Sequence, residues 1–334
     1  MHILFKEMRS FMNILMMLFA VLLVGCGGAG SSSQPSLFQS KAELGAALFA
    51  DKNLSRDRNQ SCASCHNPEH GFIDNREDNT SREGIASAGS LGDNLVSVGD
   101  RNAPTASYAL LSPSFHQGKR SRVASQRTSG IEDYEGFIGG QFWDGRALNL
   151  QVQAGGPPLN PDEMNMPDQA SVVQRIKENA DYVAGFELLY GINIFDEAGK
   201  AYIAITESIA AFEETLVFAP FDSKYDRSLV GDYDYAITSQ AAFGKVRFFS
   251  SDLTCAACHQ LRKIGDKAEP FTSFEFHNIG VPENTALREV NGVTTLDEGL
   301  LQNPAVTDMA EKGKFKVPTL RNIEFTAPYM HDGR

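Results

Sequence analysis

Residues 62–66 read Cys-Ala-Ser-Cys-His, and residues 255–259 read Cys-Ala-Ala-Cys-His. Two thiols three positions apart can add to the two vinyl groups of a haem as thioethers, and the adjacent His then lies under the iron. A zinc-binding or redox-active C-x-x-C pair is the alternative. It does not explain why a His follows the pair in both copies. The pattern therefore predicts two haem c groups, held by Cys62, Cys65 and His66 and by Cys255, Cys258 and His259.

Each motif follows an apolar segment of helical character. Leu44-Gly45-Ala46-Ala47-Leu48-Phe49 leads into the first, and Phe243-Gly244-Lys245-Val246-Arg247-Phe248-Phe249 leads into the second. An entry helix followed by a haem-attachment turn is how cytochrome c domains are built, so the echo predicts two of them in tandem. Further helices are predicted over 201–216, with Ile203, Ile205, Ile209, Phe212 and Leu216 at helical spacing, and over 169–178, with Val172, Val173 and Ile176 on one face. Strand-like alternation is scarce, and residues 74–100 and 117–140 read as long Gly-, Ser- and Asp-rich loops. The predicted class is mainly α, with long irregular loops around the cofactors. One haem domain spans 40–220 and the other 221–334, with the boundary near Phe218-Ala219-Pro220-Phe221-Asp222.

Lys6 and Arg9 precede an apolar run, Phe11 to Val24, that is short for a membrane span and reads as an export signal over 1–25. It ends Leu23-Val24-Gly25-Cys26, the pattern of a bacterial lipobox, in which the chain is cut before Cys26 and its thiol is lipidated. A plain signal with an incidental Cys is the alternative. Residues 26–39, rich in Gly and Ser, read as a flexible tether. The expected place is the periplasm, at a bacterial membrane. Of five cysteines, Cys26 and the two pairs account for all, leaving none for a disulfide. The net charge is −12; Lys6, Arg9 and Glu7 give the signal +1, so the remainder carries −13. That charge argues against nucleic-acid binding. It suits a basic or locally basic partner such as a small electron-carrier protein, or simply solubility.

Gly140-Gln141-Phe142-Trp143-Asp144-Gly145-Arg146-Ala147 is followed by Gln153-Ala154-Gly155-Gly156-Pro157 and Glu163-Met164. Near the end of the chain come Phe315-Lys316-Val317-Pro318-Thr319-Leu320-Arg321-Asn322 and Thr326-Ala327-Pro328-Tyr329-Met330-His331-Asp332-Gly333. In this order, with the two haem motifs, these segments resemble the bacterial di-haem cytochrome c peroxidases, including the related enzyme that matures methylamine dehydrogenase. The resemblance spans nearly all of residues 40–334. It implies a peroxide-reacting haem on His66 and an electron-entry haem on His259, with Trp143 between them and Gln153 and Glu163 as the distal pair. It also implies a calcium ion held by Asn102 and the carbonyls of Thr326 and Pro328, a small cytochrome or cupredoxin as donor, and homodimers as a common state.

The chemistry can be reasoned without the family. Splitting a peroxide O–O bond needs a proton moved from the inner to the outer oxygen, and a carboxylate such as Glu163 can carry it. Gln153 can orient the peroxide by hydrogen bonding. From its surroundings alone Glu163 reads as a helix-start or surface carboxylate after Pro161. Its place twenty residues beyond Trp143 reverses that reading. Trp143, the only Trp, is either a core anchor or a stepping stone for electrons.

Two departures from the family pattern stand out. No Gly-His-Gly-like loop supplies a distal His after the first motif, which leaves His70 and His116 as the open candidates and predicts a five-coordinate first haem. The family also continues past His331-Asp332-Gly333 into a segment bearing a distal Met or Tyr for the second haem. The chain stops at Arg334, which reads as a truncated frame, with Met309 and Met330 as weak substitutes. The leading expectation is a peroxidase reducing hydrogen peroxide with electrons from a small c-type cytochrome. A maturation-type oxidase acting on a protein residue, and a non-catalytic electron carrier or redox sensor, are the alternatives.

Overall fold

The computed structural model describes residues 37–76, 89–122, 126–127, 130–234, 236, 238–259 and 269–334. The signal, Cys26 and most of the tether lie outside the described residues.

The chain is mainly helical. Helix α1 (Lys41–Ala50) starts where the Ser40 side chain accepts a hydrogen bond from the Glu43 amide at 3.1 Å, satisfying one otherwise orphan donor. It buries Leu44, Leu48 and Phe49 against the long helix α6, Ala198–Glu213. Gly45 permits that contact: a Cβ there would stand 1.8 Å from the Ser208 carbonyl oxygen, so no larger residue fits without separating the helices. The first motif opens as α2 (Cys62–Cys65). Helices α3 (Leu150–Ala154), α4 (Gln169–Lys177) and α5 (Ala180–Tyr190) complete the layer around α6. The Asp168 side chain caps α4, and Val172, Val173 and Ile176 are buried, on the face the sequence indicates.

The long helix runs 198–213 rather than 201–216. Ile205 and Ile209 are buried, while Ile203 and Leu216 are 55% and 76% exposed. The buried stripe runs through Ala201, Ala204, Ile205, Ser208, Ile209 and Glu213, so small residues and one carboxylate, not Ile203, face the interior. Beyond the helix, Phe218 is fully buried, stacked on Phe72 at 4.0 Å and edge-on to Phe49 at 5.6 Å.

Helix α7 (Lys224–Leu229) and helix α8 (Gln240–Phe248) lead to the second motif, α9 (Cys255–Cys258), followed by α10, Thr285–Glu289. Ser239 caps α8, yet α8 buries no residue, and Phe243 and Val246 are 68% and 69% exposed. The two entry segments therefore share helical form but not packing. Part of the 117–140 region is a hairpin rather than loop. Strands β1 (His116–Arg120) and β2 (Tyr134–Ile138) pair antiparallel with Gly118 opposite Gly136. A second small pair joins β3 (Phe276–His277) to β4 (Phe315–Lys316).

Candidate active site

Cys62, Cys65 and His66 line one wall of an open cavity. Gln153, Glu163 and Trp143, all from the stretch 143–163, line the same cavity. Much of the remaining wall is apolar, with Leu91, Phe142, Leu150 and Ile209 among it.

The donor set fits a haem c. Burial pushes the Cys65 thiol up to about 12, with Arg76 opposing and Asp74 adding to it, and pushes Cys62 up as well, with Glu213 adding to it. His66 Nδ1 lies 3.2 Å from the Phe72 carbonyl oxygen. In the tautomer that donates from Nδ1, the Nε2 lone pair is left for iron, and the backbone acceptor fixes the ring. Burial lowers the His66 value, keeping the imidazole neutral as a ligand must be. The second motif repeats the arrangement: His259 Nδ1 lies 3.0 Å from the Phe271 carbonyl oxygen, and the Ser273 amide donates to the Cys258 carbonyl at 2.8 Å.

Glu163 is held by a tight turn after Pro161, in which its own amide donates to the Asn160 carbonyl at 3.1 Å and its carbonyl accepts from the Asp93 amide at 2.7 Å. Burial raises its carboxyl to about 7, against the opposing pull of Arg146 and a hydrogen bond from Asn160. A group poised there can both hold and release a proton near neutral pH. Gln153 sits in α3, one turn after Asn149 caps that helix.

Trp143 is buried, and its indole Nε1 donates to the Asn102 carbonyl at 2.8 Å. From its own carbonyl a hydrogen-bonded route leads to the second motif. The Lys316 amide donates to Trp143 O at 2.9 Å, the Thr272 hydroxyl donates to Val317 O at 2.6 Å, and the neighbouring Ser273 amide reaches Cys258 O. Trp143 is thus both an anchor and a point on a short connection between the two motifs.

The segments near the end of the chain converge on the same place. Asn102 Nδ2 donates to the Pro328 carbonyl at 2.8 Å, and the Asn102 amide donates to the His331 carbonyl at 2.8 Å. Thr326 lies two residues before Pro328. Arg101 clamps Asp144 at 2.7 Å and Asp297 at 2.6 Å, all three nearly buried. Among the described residues no cluster of three or more His, Cys, Asp or Glu is placed to hold a metal ion. The Asn102 side chain and the Pro328 carbonyl are instead hydrogen-bonded to each other.

The candidate distal ligands fare differently. His70 and His116 are exposed and neither lines the cavity, so the structure brings neither to the first haem site. Met309 and Met330 are 66% and 42% exposed. Two cavity residues escaped the sequence reading. One is Arg146, stacked over Phe142 at 3.8 Å and paired with Asp144. The other is Glu213, whose signal was its spacing of four from Ile209 and eight from Ile205 along the buried stripe.

A family model described as di-haem cytochrome c peroxidase matches residues 39–234. The chain is 43% identical over 315 residues to the methylamine utilization protein MauG of Paracoccus denitrificans, covering 93% of this chain and 75% of that one. It is 32% identical to the cytochrome c peroxidase Ccp of Escherichia coli, covering 88% of this chain and 50% of the relative. In three dimensions it is similar to the diheme peroxidase BthA from Burkholderia thailandensis, with a TM-score of 0.74 and 27% identity over 88% of this chain and 68% of that one.

Proposed function

Because the chain belongs to the di-haem cytochrome c peroxidase family, we propose that it reduces hydrogen peroxide to water at the cavity of His66, with electrons from a small c-type cytochrome or cupredoxin entering at the haem on His259. It is an oxidoreductase of the peroxidase type. The observation that carries the reading is the meeting of Cys62, Cys65 and His66 with Glu163 and Gln153 around one cavity. A pure electron carrier has no use for a carboxyl group poised to exchange protons there.

Haem c, when bound, supplies an iron that binds peroxide and stores oxidising equivalents. The residues do the rest. His66 holds the proximal side, its ring fixed by Phe72 O. Glu163 would take the proton from the inner peroxide oxygen and deliver it to the outer one, which leaves as water; two donor electrons and two protons from solvent then carry the inner oxygen to a second water. Gln153 orients the peroxide from α3. The test is peroxide-dependent oxidation of a reduced small c-type cytochrome by the haem-loaded protein. Sustained turnover supports the reading. Its absence in protein carrying two haems points to another oxidisable substrate, and the likeness to MauG makes a protein residue the first to try.

We assign one haem to each of two cytochrome c domains, 40–220 and 221–334. Trp143 carries electrons between them. Replacing it with Phe is expected to leave both haems in place and slow inter-haem electron exchange several-fold, read by transient absorption after rapid reduction of one haem. An unchanged rate would leave Trp143 a structural role only.

A calcium ion on Asn102, Thr326 and Pro328 would tie the segment after Asn322 to the segment before Trp143. Chelation is then expected to perturb the visible haem spectra and to lower peroxide turnover, with recovery on adding Ca²⁺ back. Spectra and activity indifferent to the chelator would remove the ion from the account. Residues 1–26 support export to the periplasm and a lipid on Cys26. The acidic charge suits a basic donor, and pairing into a homodimer is compatible with the reading.

A further inference from the structure

The cavity holds a second carboxylate that peroxide cleavage, as derived above, does not use. Glu213 ends the buried stripe of α6 and is only 6% exposed, yet it lines the cavity that holds the first haem motif. Its Oε2 is buried and has no hydrogen-bond partner among the described residues. A buried carboxylate oxygen left unpaired is costly unless the group stays protonated or finds a partner in the cavity. α6 runs directly against α1, the entry helix of the first motif, so this carboxyl is fixed by the packing that Gly45 permits.

We propose that Glu213 is the redox-linked proton holder of the first haem site: it carries a proton while the iron is reduced and releases it to water as the iron is oxidised. The balance is one electron out and one proton out. The electron goes to peroxide in turnover, or to ferricyanide in a titration, and the proton leaves Glu213 Oε2. On re-reduction an electron arrives from the donor and Glu213 is protonated again. Net charge in the buried cavity then stays constant, which is the physical reason a buried site favours such coupling.

The charged surroundings support a proton-holding role. Burial and the neighbouring Glu214 raise the Glu213 carboxyl to about 8. The groups facing the same cavity are Cys62, Cys65 and His66 from the motif, with Glu163, Arg146, Asp100 and Arg101. The two thiols become thioethers and His66 an iron ligand in the loaded protein. Arg101 is paired with Asp144 and Asp297, and Arg146 with Asp144, so neither is paired with Glu213. No described cation is paired with Glu213. Glu163 and Asp100 also line the cavity, and Glu163, raised by burial to about 7, is the necessary control.

This inference rests on the peroxidase site described above, but its test needs no peroxide. The midpoint potential of the first haem is measured by spectroelectrochemistry from pH 6 to 9 in the haem-loaded protein, in Glu213→Gln and in Glu163→Gln. An ionised carboxylate favours the more positive, oxidised iron, so the wild-type potential is expected to fall as pH rises. Glu213→Gln, fixed neutral, should lose the part of the fall that lies in the upper half of that range, while Glu163→Gln keeps the fall there. A tenfold change in proton affinity between the two iron states corresponds to ~59 mV for one electron. A wild-type potential independent of pH overturns the proposal whatever the variants do, and so does a Glu213→Gln profile superimposable on the wild type. If Glu213→Gln does not take up haem, Glu213→Asp decides: a displaced inflection supports the role, an unmoved one refutes it. Peroxide turnover could fail entirely without affecting these outcomes.

Discussion

Glu163→Gln is expected to lower peroxide turnover by ~10²–10⁴-fold while leaving both haems attached. Gln keeps the size and hydrogen-bonding reach of the side chain but cannot carry a proton from one peroxide oxygen to the other. The loss should fall on kcat/KM, since the group acts on the reacting atoms. The pH profile should change with it. With a carboxyl near 7, raised chiefly by burial and restrained by Arg146, the wild-type profile should bend close to neutrality, where the ionised form that accepts the proton becomes populated. The variant should lose that bend. A variant with two haems and near wild-type turnover would take the acid–base role away from Glu163.

The second large effect concerns stability. Arg122 donates to both carboxylate oxygens of Glu275, at 2.9 and 2.7 Å, and both side chains are almost wholly buried. Burial alone would raise Glu275, but hydrogen bonds from His277 and Arg122 hold its carboxyl below the ordinary range. A depressed carboxyl contributes stability at neutral pH that is lost as pH falls through its folded value. The same Arg122 donates to the Ala257 carbonyl at 3.1 Å, and Gln126 donates to the Ala256 carbonyl, so the pair also braces the second haem motif. Arg122→Ala leaves a buried carboxylate with only His277 and a distant Arg120. It is expected to cost roughly 3–5 kcal/mol, read as a lower denaturation midpoint of the haem-loaded protein. Arg122→Met with Glu275→Leu should recover much of the loss, because an apolar pair of similar volume removes the buried charge as well. A fully stable Arg122→Ala would show that water reaches Glu275 and that the pair is not a brace.

These two sites were legible to different degrees. Glu163 could be found because it sits at a fixed interval from Trp143 and the haem motif, although nothing in its local sequence distinguishes it from a surface carboxylate. Arg122 could not, because its value lies in a contact 153 positions away, with Glu275. The hairpin that carries it, β1 and β2, has no alternation of apolar and polar residues. Strand β1 has no apolar residue and pairs with β2 through two facing glycines, so a region of Gly and charge read as loop. In α6 the apolar spacing found the helix but misjudged its inner face. Ile203 points outward, because Gly45 of α1 draws the small residues of α6 into the contact. A helix face chosen by close approach favours small side chains over large ones, and a hydrophobic count misses that. Glu213 was hidden for the same reason, as a charge on a face expected to be apolar. The haem motifs were legible throughout, since their chemistry fixes residue type and spacing together.

The most direct measurement on the central claim is the number of irons that accept an outside ligand. Cyanide is titrated into the half-reduced, haem-loaded protein, the bound fraction is read from the visible spectrum, and the cyanide complex is then mixed with peroxide. One of the two haems is expected to bind cyanide, and the bound cyanide to block the reaction with peroxide. Two six-coordinate irons that bind neither ligand would contradict it and make the chain an electron carrier.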